Sequence, residues 1–387
     1  MPNIPLRHGV FLAPYHPIEE GAATWLRRDI ELAQHLDKLG FDEMWVGEHH
    51  SGGFEIIASP DLFIAAAAEV TRRLRFGTGV MTLPYHNPLV VANRMAQLDH
   101  QTMGRVSFGF GPGLLMQDAL MMGLNPDKTR DMMLEAIDVI VRLLKGEVVT
   151  AKTDWFNLVE ARAHLLPYSQ PLEMSVASAG TPSGGRAAGR FGMSMLCVAA
   201  SQAGAYDVLG SNWQIANEVA AQHGNTMDAS KLRLVAPVHI AETREKARAD
   251  VRHGLERWIN YYDLAAPNPF PREAGIDPID TLINSGRAVI GTPEDAVAMI
   301  ERLRKKQGDF GVFLAQHTDW ADWDQTFKSF ELYARYVMPH FRKSDMNRKV
   351  TLDVMTEKRD ALKTLQRGAA QKAFDQHEAA KKAESKS

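Results

Sequence analysis

Eight short apolar runs, each followed by a helical stretch, occupy the first 340 or so residues, and this alternation restricts the possible folds more than any other feature. The runs begin at His8-Gly-Val-Phe-Leu-Ala-Pro, Glu43-Met-Trp-Val-Gly-Glu, Leu74-Arg-Phe-Gly-Thr-Gly-Val-Met and Val106-Ser-Phe-Gly-Phe-Gly. Four more follow at Glu173-Met-Ser-Val-Ala-Ser-Ala, Met193-Ser-Met-Leu-Cys-Val-Ala, Leu232-Arg-Leu-Val-Ala-Pro and Phe310-Gly-Val-Phe-Leu-Ala-Gln. The helices between them are predicted near Thr24 to Leu39, from Asp61, Leu89 and Asp127, near Gly184, and from Tyr206, Thr243 and Trp323. In the first, Leu26, Ile30, Ala33 and Leu36 form the apolar face and Gly40 the stop.

Strands that alternate with helices form a parallel sheet, and eight units close a barrel. An open doubly wound sheet usually has fewer strands and divides into two domains at this length, and no linker marks such a division. The predicted fold class is therefore α/β: a single (β/α)8 TIM-type barrel over residues 1–343, with insertions and a C-terminal helical tail. Residues 148–167 suit a strand pair around Thr153-Asp-Trp-Phe. Residues 263–291 include Pro267-Asn-Pro-Phe-Pro and are expected to be a lid or pocket-lining loop.

Residues 344–387 differ from the barrel in charge. They carry 10 of the 44 Lys and Arg and 7 of the 47 Asp and Glu, so a tail of +3 follows a body of −6. The tail suits a surface helix or frayed end, with a thin apolar stripe at Val350, Leu352, Val354, Leu362 and Leu365. The total of −3 favours neither nucleic acid nor an anionic membrane as partner. Cys197 is the only cysteine, which excludes an intramolecular disulfide and fits a reducing compartment. The N-terminus lacks the apolar core of a signal peptide and no run is long enough to span a membrane, so a cytoplasmic location is expected.

Barrel enzymes place their sites at the C-terminal strand ends, where four clusters occur. Glu48-His-His follows the second strand. Adjacent residues of an extended segment point to opposite faces, so one metal ion rarely takes both histidines, and no metal site is expected. One histidine facing the mouth suits proton transfer near neutral pH; a histidine hydrogen-bonded within its loop fits the spacing equally well. Gly77-Thr-Gly-Val-Met-Thr-Leu-Pro ends the third strand, where the glycines admit a flat ligand or a tight bend. Gly104-Arg-Val-Ser-Phe-Gly-Phe-Gly-Pro-Gly lacks the dinucleotide spacing, and Pro112 removes an amide. Ser178, Thr181, Ser183 and Arg186, at the start of a small-residue helix, suit a phosphate, or a well-capped structural helix. Methionines in Leu114-Leu-Met-Gln-Asp-Ala-Leu-Met-Met-Gly and Asp131-Met-Met-Leu suit adaptable apolar space or plain core.

Glu48-His-His, Gly77-Thr-Gly-Val-Met-Thr-Leu-Pro with His86-Asn-Pro, Leu98-Asp-His-Gln-Thr-Met-Gly-Arg, Ser178-Ala-Gly-Thr and Ile290-Gly-Thr-Pro-Glu-Asp, in this order, resemble the bacterial luciferase-like flavin-dependent monooxygenase family. Within it, Trp45-Val-Gly-Glu-His-His-Ser, Glu55-Ile-Ile-Ala-Ser-Pro and Lys152-Thr-Asp-Trp-Phe are similar to the limonene 1,2-monooxygenase group. The resemblance implies a two-component monooxygenase, in which a separate reductase supplies reduced flavin, FMN or FAD, and O2 adds to it as a C4a-hydroperoxide. It implies a small apolar substrate, such as a monoterpene epoxidised at a ring alkene, and a homodimer.

By the same resemblance His49 is the active-site histidine, His50 its catalytic or structural neighbour, and Asp118 an acidic residue of the site. Gly79 and Val80 match a non-prolyl cis peptide beneath the flavin ring, and Ser178 and Thr181 a phosphate-binding turn. Pro112 stands where luciferases place a phosphate-binding arginine, which leaves Arg186 as a replacement on charge. The alternatives are a deazaflavin-dependent dehydrogenase of the same fold and a non-catalytic flavin-binding accessory protein.

Overall fold

The computed structural model describes residues 4–265, 270–272, 274–342 and 346–385. The chain divides into two compact units, Met1–Phe341 and Arg342–Ser387.

In the first unit the strands are β1 (Arg7–Leu12), β2 (Glu43–Val46), β3 (Arg75–Thr82), β4 (Val106–Gly111), β5 (Val149–Lys152), β6 (Asn157–Ala161), β7 (Met174–Ser178), β8 (Ser194–Cys197), β9 (Arg233–Ile240), β10 (Val289–Gly291) and β11 (Val312–His317). Hydrogen bonding runs β9-β11-β1-β2-β3-β4-β7-β8, and β8 returns to β9, so eight parallel strands close the predicted barrel. Such strands are covered on both faces, which is why they read as unbroken apolar runs. Phe11, Trp45, Leu196, Val235, Val312 and Leu314 meet one another across the interior, while Val10, Met44, Leu234, Phe313 and Ala315 pack toward the helices.

The surrounding helices are α1 (Ala22–Leu39), α2 (Pro60–Glu69), α3 (Pro88–Gln101), α4 (Met116–Met121), α5 (Thr129–Leu144), α6 (Ser183–Phe191), α7 (Leu209–Gln222), α8 (Arg244–Val251), α9 (Leu255–Ala265), α10 (Pro278–Asn284), α11 (Pro293–Gln307) and α12 (Trp323–Leu332). The buried face of α1 differs from the predicted stripe. It buries Trp25, Asp29, Leu32, Ala33 and Leu36 and leaves Leu26 exposed, because buried His16 draws Asp29 inward through a 3.0 Å contact.

The N-terminal end of the interior is closed by charge. Arg233, fully buried, pairs with Glu43 and Glu173 at 2.7 Å each and lies 4.7 Å over the Trp45 ring. Arg7 reaches Glu43 at 2.7 Å. The indole of Trp45 explains Gly77 as neither a bend nor a ligand cradle: a Cβ at Gly77 would stand 2.3 Å from Trp45 Cδ2. Cys197 is buried in β8, the sixth barrel strand, as its setting in the sequence predicts.

The first insertion is an antiparallel hairpin, β5 with β6. The second, expected to be a lid or pocket-lining loop, carries regular structure of its own. Helix α9 enters it, α10 capped by Asp277 occupies its middle, and β10 pairs in parallel with the end of β9. Its Pro267-Asn-Pro run lies outside the described residues, as do residues 343–345 at the expected barrel boundary. The second unit contains α14 (Met346–Glu357) and α15 (Arg359–Glu384), with exposed Val350, Leu352, Val354, Leu362 and Leu365; the short α13 (Met338–Phe341) ends the first. Among the described residues no helix is long and apolar enough to cross a membrane.

Candidate active site

The segment after β2 turns back on itself through Gly52 and Gly53, whose φ angles of 80° and 78° favour glycine. Its return limb bonds to the segment after β1, Ile56 N–H to Pro14 O at 3.1 Å and His16 N–H to Phe54 O at 2.9 Å. His49 N–H bonds to Ile57 O at 3.2 Å. This fold-back brings Glu48, His49, His50, Ser51 and Glu55 together at the C-terminal mouth of the barrel.

Asp118, in the first turn of α4, completes the group. Its Oδ2 lies 3.2 Å from His49 Nδ1, and its Oδ1 accepts from the His50 amide at 3.2 Å and from the Ser51 hydroxyl. Nε2 of His49 faces Glu55 Oε2 at 3.4 Å, and Tyr261 on α9 donates to Glu55 Oε1 at 2.8 Å. Behind these, buried Glu48 accepts from His50 Nε2 at 3.1 Å, His86 Nε2 at 2.9 Å and the Thr82 amide at 3.0 Å.

The electrostatics follow from this pairing. Burial disfavours the His49 imidazolium, yet Glu55 and Asp118 outweigh it and raise the pKa above its ordinary value. His50 is raised chiefly by its bond to Glu48, against partial burial. Burial pushes the Glu48 and Asp118 carboxyls up, but their histidine partners hold both below the usual range. Burial and then Glu55 raise the Tyr261 phenol. The arrangement is a set of carboxylates that fixes the imidazoles and favours their charged form.

His49, His50 and Asp118 thus come together. The Gly79–Val80 peptide bond is cis, and Val80 packs at the same end of the interior as Phe11 and Val198. Ser178, Thr181, Ser183 and Arg186 form a separate group at the turn from β7 into α6. Ser178 is buried, Thr181 and Ser183 share a 2.9 Å hydroxyl contact, and Arg186 is exposed. The amide of Asn212 braces the turn at Ala179 O and Thr181 O. Packing also accounts for the small residues here: a Cβ at Gly184 would stand 2.4 Å from Ala177 O, and one at Gly189 2.4 Å from Ala216 O on α7. The methionine run divides, with Met132 and Met133 in the core and Met116 and Met121 exposed.

Glu48, Ser51, Glu55, His86 and Tyr261 are not among the site residues read from the sequence. Glu48, Ser51, Glu55 and His86 do lie in the motifs that carry the resemblance. Tyr261 has no local signal, since only the return of α9 brings it to Glu55.

Fold and site together define a (β/α)8-barrel enzyme with its titratable cluster at the catalytic mouth. A sequence profile of the luciferase-like monooxygenase family matches residues 6–309. The chain is 48% identical over 334 residues to limonene 1,2-monooxygenase of Rhodococcus erythropolis, covering 86% of each. It is 42% identical over 342 residues to 4-hydroxyprotoasukamycin monooxygenase of Streptomyces nodosus subsp. asukaensis, covering 87% of this chain and 92% of that one. Among solved structures, the oxygenating constituent of 3,6-diketocamphane monooxygenase from Pseudomonas putida, a type II Baeyer-Villiger enzyme in complex with FMN, superposes with a TM-score of 0.71 at 25% identity, over 87% of this chain and 98% of that one. The chain belongs to the luciferase-like monooxygenase family and is a monooxygenase.

Proposed function

We propose that this chain is the oxygenase of a two-component system, receiving reduced FMN or FAD from a separate reductase and epoxidising a ring alkene of a small monoterpene of the limonene type. The observation that carries the reading is His49, set between carboxylates at the mouth of a barrel 48% identical to limonene 1,2-monooxygenase. Reduced flavin, when bound, supplies the electrons that activate O2. The donor set fits it: the hydroxyls of Ser178, Thr181 and Ser183, the first amides of α6 and the Arg186 guanidinium suit its phosphate. Gly79 and Val80, joined by a cis peptide, would support its ring. His49 donates a proton from Nε2, and Asp118 fixes its ring by taking the Nδ1 side. His50, tied to Glu48, braces the strand end. Phe11, Val80 and Val198 offer an apolar wall that excludes water and accepts a hydrocarbon.

The test adds reduced FMN or FAD under nitrogen, then 18O2 with limonene and related cyclic terpenes. One labelled oxygen per product molecule is expected. Flavin oxidation with no labelled terpene product across the panel would refute the substrate class, and anaerobic hydride transfer to a substrate would point to dehydrogenase chemistry.

A further inference from the structure

The proposed proton donor has no ring nitrogen that lacks a carboxylate. Nδ1 of His49 faces Asp118 at 3.2 Å and Nε2 faces Glu55 at 3.4 Å. Glu55 comes from the return limb of the loop after β2, where it forms an isolated antiparallel bridge with Tyr15. Its second oxygen accepts from Tyr261 at 2.8 Å, so α9, from a distant part of the chain, fixes its reach. Tyr261 in turn packs on Phe54 and Tyr15, with ring centroids 5.2 Å apart in each case. A carboxylate that is largely shielded, tethered and aimed at the working nitrogen has a role beyond filling space.

We propose that Glu55 is a second positioning carboxylate of this site, holding Nε2 of His49 while Asp118 holds Nδ1, with Tyr261 as its anchor. The inference rests on the reading of His49 as the proton donor. An imidazole between two carboxylates is most stable with a proton on each nitrogen. Asp118 is occupied by Ser51 and the His50 amide as well, so its side of the ring is fixed. The Nε2 contact is the longer one and is the side from which a proton leaves. Glu55 therefore favours the charged His49 ring between turnovers, and accepts from Nε2 again once that nitrogen has regained a proton from water. The other charged groups that bear on His49 are Glu48 and His50, and neither meets Nε2.

The experiment follows the His49 ring by NMR in full-length protein with labelled histidine, the signal being assigned by its loss in His49→Gln. The titration midpoint is compared in the parent protein, Glu55→Gln and Tyr261→Phe, without flavin. Glu55→Gln is expected to move the midpoint down, and Tyr261→Phe to move it the same way by less. The alkaline limb of product yield per flavin oxidised should move with it, which a purely structural loss would not produce. An unchanged midpoint in both variants overturns the proposal. Should Glu55→Gln not fold, Tyr261→Phe alone decides it. A midpoint that moves as expected in a protein that oxygenates no terpene supports Glu55 as positioning residue and removes the proposed function instead.

Discussion

Glu48 and His86 meet at 2.9 Å although 38 residues separate them, and their contact ties the end of β2 to the loop after β3. The same carboxylate takes His50 Nε2 and the Thr82 amide, so one buried side chain anchors three donors from two neighbouring strand ends. The floor of the candidate site is therefore set by Glu48, while Asp118 and Glu55 address the working histidine above it.

Glu48→Gln replaces an acceptor of two oxygens by a group with one, so its NH2 must face at least one donor. Hydrogen bonds to charged groups contribute roughly 1.5 to 3 kcal/mol each, and an unsatisfied buried donor adds to the loss. Unfolding in urea is expected to show a decrease of about 3 kcal/mol, with lower product yield. An unaltered midpoint would show that the three bonds carry no such weight.

His16 should govern the alkaline stability of the fold. It lies 3.0 Å from Asp29 and 3.8 Å from Asp319, stacked 4.4 Å from Trp25. Burial disfavours its imidazolium, but Asp29 and Asp319 outweigh burial and raise its pKa to about 9. A folded pKa above the unfolded value near 6.5 means that the contribution is complete below 6.5 and is lost as pH rises through 9. A shift of this size corresponds to about 3 kcal/mol. The melting temperature should fall between those two values, and His16→Gln should remove most of that slope; a variant that keeps the slope would exclude His16 as its source.

At the opposite end of the barrel, Arg233 compensates Glu43 and Glu173. Burial raises the Glu43 carboxyl, yet Arg233 and Arg7 hold it at about 2. Arg233→Met leaves two carboxylates facing one another without their shared cation, and breaking a buried pair this way costs about 3 to 5 kcal/mol. Adding Glu43→Leu should restore part of the loss, because the more deeply buried of the two carboxylates is then gone. If the double variant in chemical unfolding is no more stable than Arg233→Met, the coupling is absent.

Burial pushes the Cys197 thiol up to about 12. Iodoacetamide at pH 8 should therefore leave the folded protein unlabelled and react only after denaturation. Rapid labelling of the folded chain would mean that β8 opens readily.

The barrel is legible because its eight parallel strands are buried on both faces and stay apolar throughout, and the helices between them carry a periodic face. What escapes the sequence depends on long-range contact. The three residues of β10 are too short to show a period, and they pair with the end of β9 from a distant part of the chain. Asp29 reads as a polar face residue until His16 is placed beside it. His49, His50 and Asp118 stand out as motif residues, whereas Glu55 takes its meaning from Tyr261, 206 positions away. Gly77 shows the converse: its place in a glycine-rich motif suggested ligand or bend, and the adjacent Trp45 ring supplies the reason instead.

His49 and Ser178 should separate chemistry from binding, because they occupy different strand ends and face different parts of the proposed cofactor. His49→Ala removes the proposed proton donor but none of the proposed phosphate contacts. Product per flavin oxidised should fall by roughly a hundredfold or more, the usual weight of a positioned acid or base, with the flavin dissociation constant nearly unchanged. Ser178→Ala removes one hydrogen-bonding hydroxyl, worth about 1 kcal/mol, so the dissociation constant should rise about fivefold while coupling of flavin oxidation to product is kept. Flavin titration by fluorescence and product yield on the same preparations check both. Full coupling in His49→Ala would remove His49 from the chemistry, and unchanged affinity in Ser178→Ala would place the phosphate elsewhere.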